Sequence, residues 1–246
     1  MDSKIGVLVV AHGSKETSEW NKLVEKAVED AEINLPTRIG FLMEEEGIRR
    51  AVESFEAEGV ERIVAVLFFV SSYGGDQDEV RCILRLKPPK ELELHHECQP
   101  IKGKVKIALT PGMDDHPLIA EILMERALEL SRKPEDDGVF LIVHGTRSKR
   151  AASIVRDRMN SLATQIKSSG GFRDVKFGLT VEYPYSKEES TERIRELISH
   201  EKSKVEGSMI ILPHFLSDGF FNRKEIPKII EGLKCCLLYT SPSPRD

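Results

Sequence analysis

The 246-residue chain carries 36 Lys and Arg against 41 Asp and Glu, a formal charge of −5, which argues against a nucleic-acid binder that works by bulk positive charge. Its length accommodates one large core or two domains of about 120 residues each. No apolar stretch approaches the ~20 residues needed to cross a bilayer, and Met1-Asp2-Ser3-Lys4 runs into a strand with no signal-like segment, so a cytoplasmic protein with no membrane partner is expected.

In chain order the first half alternates strand 5–11, helix 16–33, strand 38–43, helix 47–58, strand 62–70, helix 76–86 and strand 105–109. Pro117 opens an amphipathic helix through about residue 131, with Leu118, Ile119, Ile122, Leu123, Ala127, Leu128 and Leu130 on its apolar face and Asp114, Asp115 or His116 as N-cap. The second half repeats the order: strand 139–144, helix 149–168, strand 175–182, helix 187–203, strand 207–215 and helix 223–233. A fourth strand is not expected there. Cys236 to Asp246 matches the translation of a transposon-type sequencing adapter and is set aside as a non-native tail, with the natural protein expected to be longer. The domain reading is therefore 1–133, including the linking helix 117–131, then 134–235, then the tail 236–246. Cys82, Cys98, Cys235 and Cys236 lack paired zinc-site spacing and read as reduced thiols.

The repeat is internal. Val7-Leu8-Val9-Val10-Ala11-His12-Gly13-Ser14 returns as Phe140-Leu141-Ile142-Val143-His144-Gly145-Thr146, and Phe41-Leu42-Met43-Glu44 falls where Leu179-Thr180-Val181-Glu182 falls. Phe69-Val70-Ser71 matches Phe215-Leu216-Ser217, and Glu79-Val80 matches Glu225-Ile226. Near-continuous apolar strands with short crossovers imply an α/β fold of two flavodoxin-like parallel sheets, helices on both faces, related by a pseudo-twofold axis with the ligand cleft between them.

Each apolar strand delivers a histidine, His12 or His144, to the sheet edge where open α/β sheets bind ligands, and a neutral imidazole there binds a metal or accepts a proton. Glu44 and Glu182 end the neighbouring strands, so each carboxylate is expected beside its histidine as metal ligand or acid-base partner. His214, ending the third strand of the second half, is expected to converge with His144 and Glu182. Arg147, Lys149 and Arg150 stand at a helix start suited to a polycarboxylate, with Ser71 and Ser217 as further substrate-binding residues. His95-His96-Glu97-Cys98 has no spaced metal-site partner, and no dinucleotide fingerprint, P-loop or nucleophile elbow is present.

These residues, with Glu58 to Val64 leading into Phe68-Phe69-Val70-Ser71-Ser72, with Asp114 to Leu123, and with Lys224-Glu225-Ile226-Pro227, resemble the class II chelatases of the CbiX and SirB type in their two-domain form. The resemblance covers the chain to about Leu233. It implies a lyase that inserts a divalent metal, cobalt ahead of iron, into sirohydrochlorin on the route to cobalamin or sirohaem, the metal being substrate and no organic cofactor being needed. The family's strand-one histidine maps onto His12 and His144, and its strand-two glutamate onto Glu44 and Glu182. Where the family's third-strand loop supplies another histidine, this chain has Tyr73-Gly74-Gly75-Asp76 and Gly219-Phe220-Phe221-Asn222, leaving Asp76 or His214 as substitutes. The catalytic set is accordingly His144 and Glu182 with His12 in support. A metal or tetrapyrrole binding protein without catalysis is the alternative.

Overall fold

A computed structural model of the chain describes residues 4–14, 18–44, 46–87, 92–94, 98–216 and 221–238. It forms two compact units, Met1–Met113 and Asp114–Asp246.

The first unit runs β1 (Ile5–Ala11), α1 (Ser18–Asp30), β2 (Thr37–Phe41), α2 (Gly47–Ala57), β3 (Arg62–Phe68), α3 (Gly75–Ile83) and β4 (Lys106–Leu109). Its sheet is parallel in the order β2-β1-β3-β4. Because side chains alternate along a strand, the uniformly apolar β1 feeds two cores. Leu8 and Val10 pack with Ile48, Val52 and Phe55 of α2 and Val80 of α3, while Val7, Val9 and Ala11 pack with Val24 of α1 and Phe41.

The second unit runs α4 (Pro117–Leu130), β5 (Gly138–Thr146), α5 (Lys149–Gly170), β6 (Asp174–Glu182), α6 (Lys187–Lys202), β7 (Met209–His214), a π-helical turn (Phe221–Glu225), α7 (Ile226–Ile230) and β8 (Cys236–Leu237). The sheet order β6-β5-β7-β8, again parallel, repeats that of the first unit. Phe140, Ile142 and Ile211 form one core with Ile194 and Ile198 of α6 and Ile226 and Ile229 of α7. The opposite face lies under α4 and α5. The expected helix 223–233 is divided into π-turn and α7, since Pro227 has no N–H to donate to the preceding turn.

Three expectations are corrected. Helix α4 packs on α5 and β7 and so joins the second compact unit, which begins at Asp114, rather than closing the first. The residue before its N-cap is bound to α5, Arg158 pairing with Asp115 at 3.2 Å and Gln165 donating to the Asp115 carbonyl at 2.9 Å. Of the three N-cap candidates His116 takes the role, its Nδ1 accepting from Leu118 N at 3.2 Å.

Second, a fourth strand is present. Cys236 and Leu237 lie beside Ile210 and Ile211 of β7, and Leu238 N donates to Ile211 O at 3.1 Å. A ladder is made from backbone groups that every non-proline residue carries, so the adapter-like composition of this segment does not prevent pairing. Third, Cys82 and Cys98 are not free thiols but a disulfide. The return from α3 toward β4 passes back under the helix, Ile101 N donating to Ile83 O at 2.9 Å, and brings the two Cα atoms to 6.3 Å. Cys235 and Cys236 are free. Among the described residues no helix is long and apolar enough to cross a membrane.

Candidate functional site

In the first unit the chain leaves β1 at Ala11 and turns through Gly13 at φ +77°, where an added Cβ would stand 2.8 Å from Phe41 Cβ. Glycine is therefore required for the turn to pass β2 this closely. Met43 N donates to His12 O at 2.9 Å, fixing the histidine's backbone. The His12 Nδ1 lies 2.9 Å from Gly13 O. A carbonyl only accepts, so Nδ1 carries the hydrogen and, in the neutral ring, Nε2 carries the lone pair. That Nε2 lies 3.6 Å from Asp76 Oδ2 in the first turn of α3, both side chains being about half exposed. A lone pair facing a carboxylate oxygen is favourable only with a shared cation, whether a proton or a metal ion.

Glu44 is on the same edge but stands aside from His12. Its Oε1 accepts from Asn21 Nδ2 at 2.9 Å, and Asn21 Oδ1 accepts from Ser14 N at 3.0 Å, so Asn21 bridges the glutamate to the His12 turn. Ser71 Oγ is used within its own loop, accepting from Tyr73 N at 3.1 Å.

In the second unit Gly145 makes the same turn at φ +80°, and an added Cβ would meet Val181 O at 2.1 Å. His144 is exposed; its carbonyl accepts from Thr180 Oγ1 at 3.1 Å, and its Nδ1 again faces the following glycine carbonyl, at 3.4 Å. Its neighbour is an aromatic ring. Phe221 meets the imidazole edge-to-face with centroids 5.1 Å apart, stacks on Phe215 at 5.5 Å, and lies 6.0 Å below Lys187 Nζ.

Glu182 does not pair with His144. Its buried carboxylate is bonded to Arg156 of α5 and lies 3.8 Å from Arg193 Nε of α6, and the Arg193 guanidinium covers the Tyr185 ring at 4.1 Å. Nor does His214 converge with them. It is level with Val143 in the β5–β7 register, so it shares the face of Val143, under α4 and α5, while His144 falls one residue later on the opposite face. His214 is buried, its Nε2 without a hydrogen-bond partner among the described residues; burial, and then Arg126 of α4, push its pKa down to about 4.

Arg147, immediately before the Ser148 N-cap of α5, lines an open cavity of about 430 Å³ with Tyr183, Pro184, Tyr185, Ser186, Lys187 and Glu188. Lys149 and Arg150 are exposed in the first turn of α5. Ser217 and His95-His96-Glu97 lie outside the described residues. Among the described residues no three His, Cys, Asp or Glu side chains cluster as a ready metal cage. Sequence reasoning missed Phe221, Tyr183, Tyr185 and Lys187 as neighbours of the site. Phe221 stands in the loop searched for histidine, and its aromatic character was the available signal.

A duplicated four-stranded parallel sheet with a histidine at the end of each first strand defines the class, and comparison with known proteins agrees. The CbiX family model matches residues 6–130 and 138–237, and the chain belongs to the CbiX family. A relative named sirohydrochlorin cobaltochelatase, from Methanococcoides burtonii, is 27% identical over 138 residues, spanning 53% of this chain and 99% of its own length. Among solved structures, SirB from Bacillus subtilis with Fe3+ superposes with a TM-score of 0.70 at 17% identity, covering 95% of this chain and 87% of that one. The cobalt complex of SirB from Bacillus subtilis subspecies spizizenii gives 0.64 at 15% identity, over 95% and 86%. The chelatase-type fold is thereby shown.

Proposed function

We propose that this protein is a metallochelatase that inserts a divalent metal, cobalt ahead of iron, into sirohydrochlorin. The observation that carries the reading is the His12 Nε2 to Asp76 Oδ2 separation of 3.6 Å. Two ligands at about 2.1 Å from a first-row divalent ion in tetrahedral geometry are about 3.4 Å apart, so this pair needs almost no movement to grasp one. Asp76 then takes the part of the loop histidine that the family supplies. A carboxylate is a harder donor than imidazole and adds a negative charge, which lowers the cost of partly dehydrating the incoming cation.

Metal entry releases two pyrrole protons. His12 or Asp76, once the metal has passed to the macrocycle, and Glu44 on the same edge are the candidate acceptors. Glu182 and His214 are left out of this set, the first because two arginines hold it and the second because it is buried on the other face. Cobalt is placed first because the Methanococcoides burtonii relative bears the cobaltochelatase name.

The test is to incubate purified protein with sirohydrochlorin and Co2+ or Fe2+ and follow the absorbance change of metal insertion. His12→Ala and Asp76→Asn are each expected to slow insertion about 100-fold or more. Sirohydrochlorin binding without insertion by the unaltered protein would instead establish the non-catalytic alternative.

A further inference from the structure

The first unit supplies a metal-grasping pair, but a chelatase must also hold a wide, flat, multiply acidic macrocycle. The cavity beside the β6–α6 turn has the matching chemistry. Two cations, Arg147 and Lys187, and two phenol rings, Tyr183 and Tyr185, line it, with Glu188 as its acidic member. At about 430 Å³ it falls at the small end of the roughly 300–1,000 Å³ usual for ligand sites. That suits one edge of a macrocycle rather than the whole.

The lining is fixed by bonds that leave the recognition groups usable. Tyr183 N donates to Thr146 O at 3.2 Å and Tyr185 N to Glu182 O at 2.7 Å, so the turn is tied to the strand end that precedes Arg147. Arg193, anchored near Glu182, holds the Tyr185 ring from one side. The start of α6 is already satisfied, because Ser186 and Glu189 form a capping box and the Glu189 carboxylate occupies the place an external anion would take. An acid group entering the cavity must therefore be held by side chains. Lys187 gives one hydrogen bond to Glu225 at 2.7 Å, and its ammonium keeps two further donors. Arg147 makes no ion pair among the described residues. Tyr183 is 39% exposed, with ring surface available to a flat ligand. Lys187 also covers Phe221, the ring against His144, so cavity and strand-end histidine share one wall.

We infer that this cavity is a tetrapyrrole-edge subsite, with Arg147 and Lys187 binding a peripheral carboxylate and Tyr183 packing on the adjoining ring. The inference rests on the chelatase reading above but does not involve its metal-binding residues. The experiment titrates sirohydrochlorin into unaltered protein, Arg147→Ala, Arg147→Lys and Tyr183→Ala by absorbance, with far-UV circular dichroism confirming that each variant is folded. Uroporphyrin I and its uncharged octamethyl ester serve as further probes.

Arg147→Ala and Tyr183→Ala are each expected to raise the sirohydrochlorin Kd about tenfold, Arg147→Lys to recover part of the loss, and Arg147→Ala to discriminate less than unaltered protein between acid and ester. Unaltered protein that binds sirohydrochlorin no better than both alanine variants would overturn the subsite and leave the chelatase reading standing. Unaltered protein that binds no tetrapyrrole would overturn both.

Discussion

Replacing His214 with leucine, a side chain of similar size and no charge, separates a buried histidine from the chelatase chemistry expected of it. In the folded unit the imidazole titrates at about 4, driven down by burial and then by Arg126; in the unfolded chain it titrates near 6.5. As pH falls below 6.5 the unfolded chain gains a proton that the folded unit does not take, so stability decreases with falling pH and the loss is complete near pH 4. At about 1.4 kcal/mol per pH unit, the loss over that window is about 3 kcal/mol, a substantial part of the roughly 5–15 kcal/mol that stabilises ordinary domains. At pH 7 the imidazole is largely neutral in both states, and leucine removes a buried Nε2 that has no partner among the described residues. His214→Leu is therefore expected to be about 1 kcal/mol more stable at pH 7, with the gap widening by about 3 kcal/mol by pH 4. Urea denaturation of both proteins at pH 7, 5.5 and 4, followed by far-UV circular dichroism, measures that gap. The carboxylates elsewhere titrate in both proteins and cancel in the difference. Parallel stability curves across this range would refute the reasoning.

Two further outcomes follow from the backbone and the cysteines. Gly145→Ala is expected to destabilise the second unit by at least about 3 kcal/mol, since its Cβ would fall 2.1 Å from Val181 O, whereas Gly171→Ala, at φ +69° with nothing within 4 Å, should cost about 1 kcal/mol; thermal denaturation distinguishes the two. Reducing the Cys82–Cys98 bridge, which spans 16 residues of sequence, is expected to lower the stability of the first unit by about 3 kcal/mol. The single tryptophan, Trp20 of α1, reports that unit's unfolding by fluorescence, and a transition unmoved by reductant would count against the bridge.

The architecture was legible because parallel strands buried on both faces leave a continuous apolar run, and β1, β5 and β7 have one each. The glycine after each histidine was legible for the same kind of local reason, a turn that admits no Cβ. Long-range choices were not. Which unit owns α4 depends on whether Asp115 finds Arg158, 43 residues away, and the disulfide depends on how the chain returns after α3. His214 was misplaced by one residue of register: level with Val143 it shares that residue's face, whereas a shift of one would have put it beside His144. Glu182 was placed at the correct strand end, but its direction was set by Arg156 and Arg193, whose approach from two different helices has no local sequence signature.

The two copies of the motif make the same turn and present the same ring. Gly13 and Gly145 share a positive φ, and each histidine directs Nδ1 at its own glycine carbonyl, leaving Nε2 outward. What differs is the residue facing each ring. Asp76 gives His12 a carboxylate, and the pair becomes a place where a cation is favoured. Phe221 gives His144 an apolar ring, and the strand-end carboxylate of that unit, Glu182, is paired with Arg156 and Arg193 instead. A flat conjugated ligand beside His144 would gain an aromatic wall and two cations. In the proposed function the cation is assigned to His12 and Asp76 within the first unit, and a flat ligand's edge to the aromatic wall beside His144 within the second. One substitution distinguishes this division of labour from two equivalent half-sites. Phe221→Asp, which copies the first unit's arrangement into the second, should add Co2+ affinity at His144 while weakening sirohydrochlorin binding.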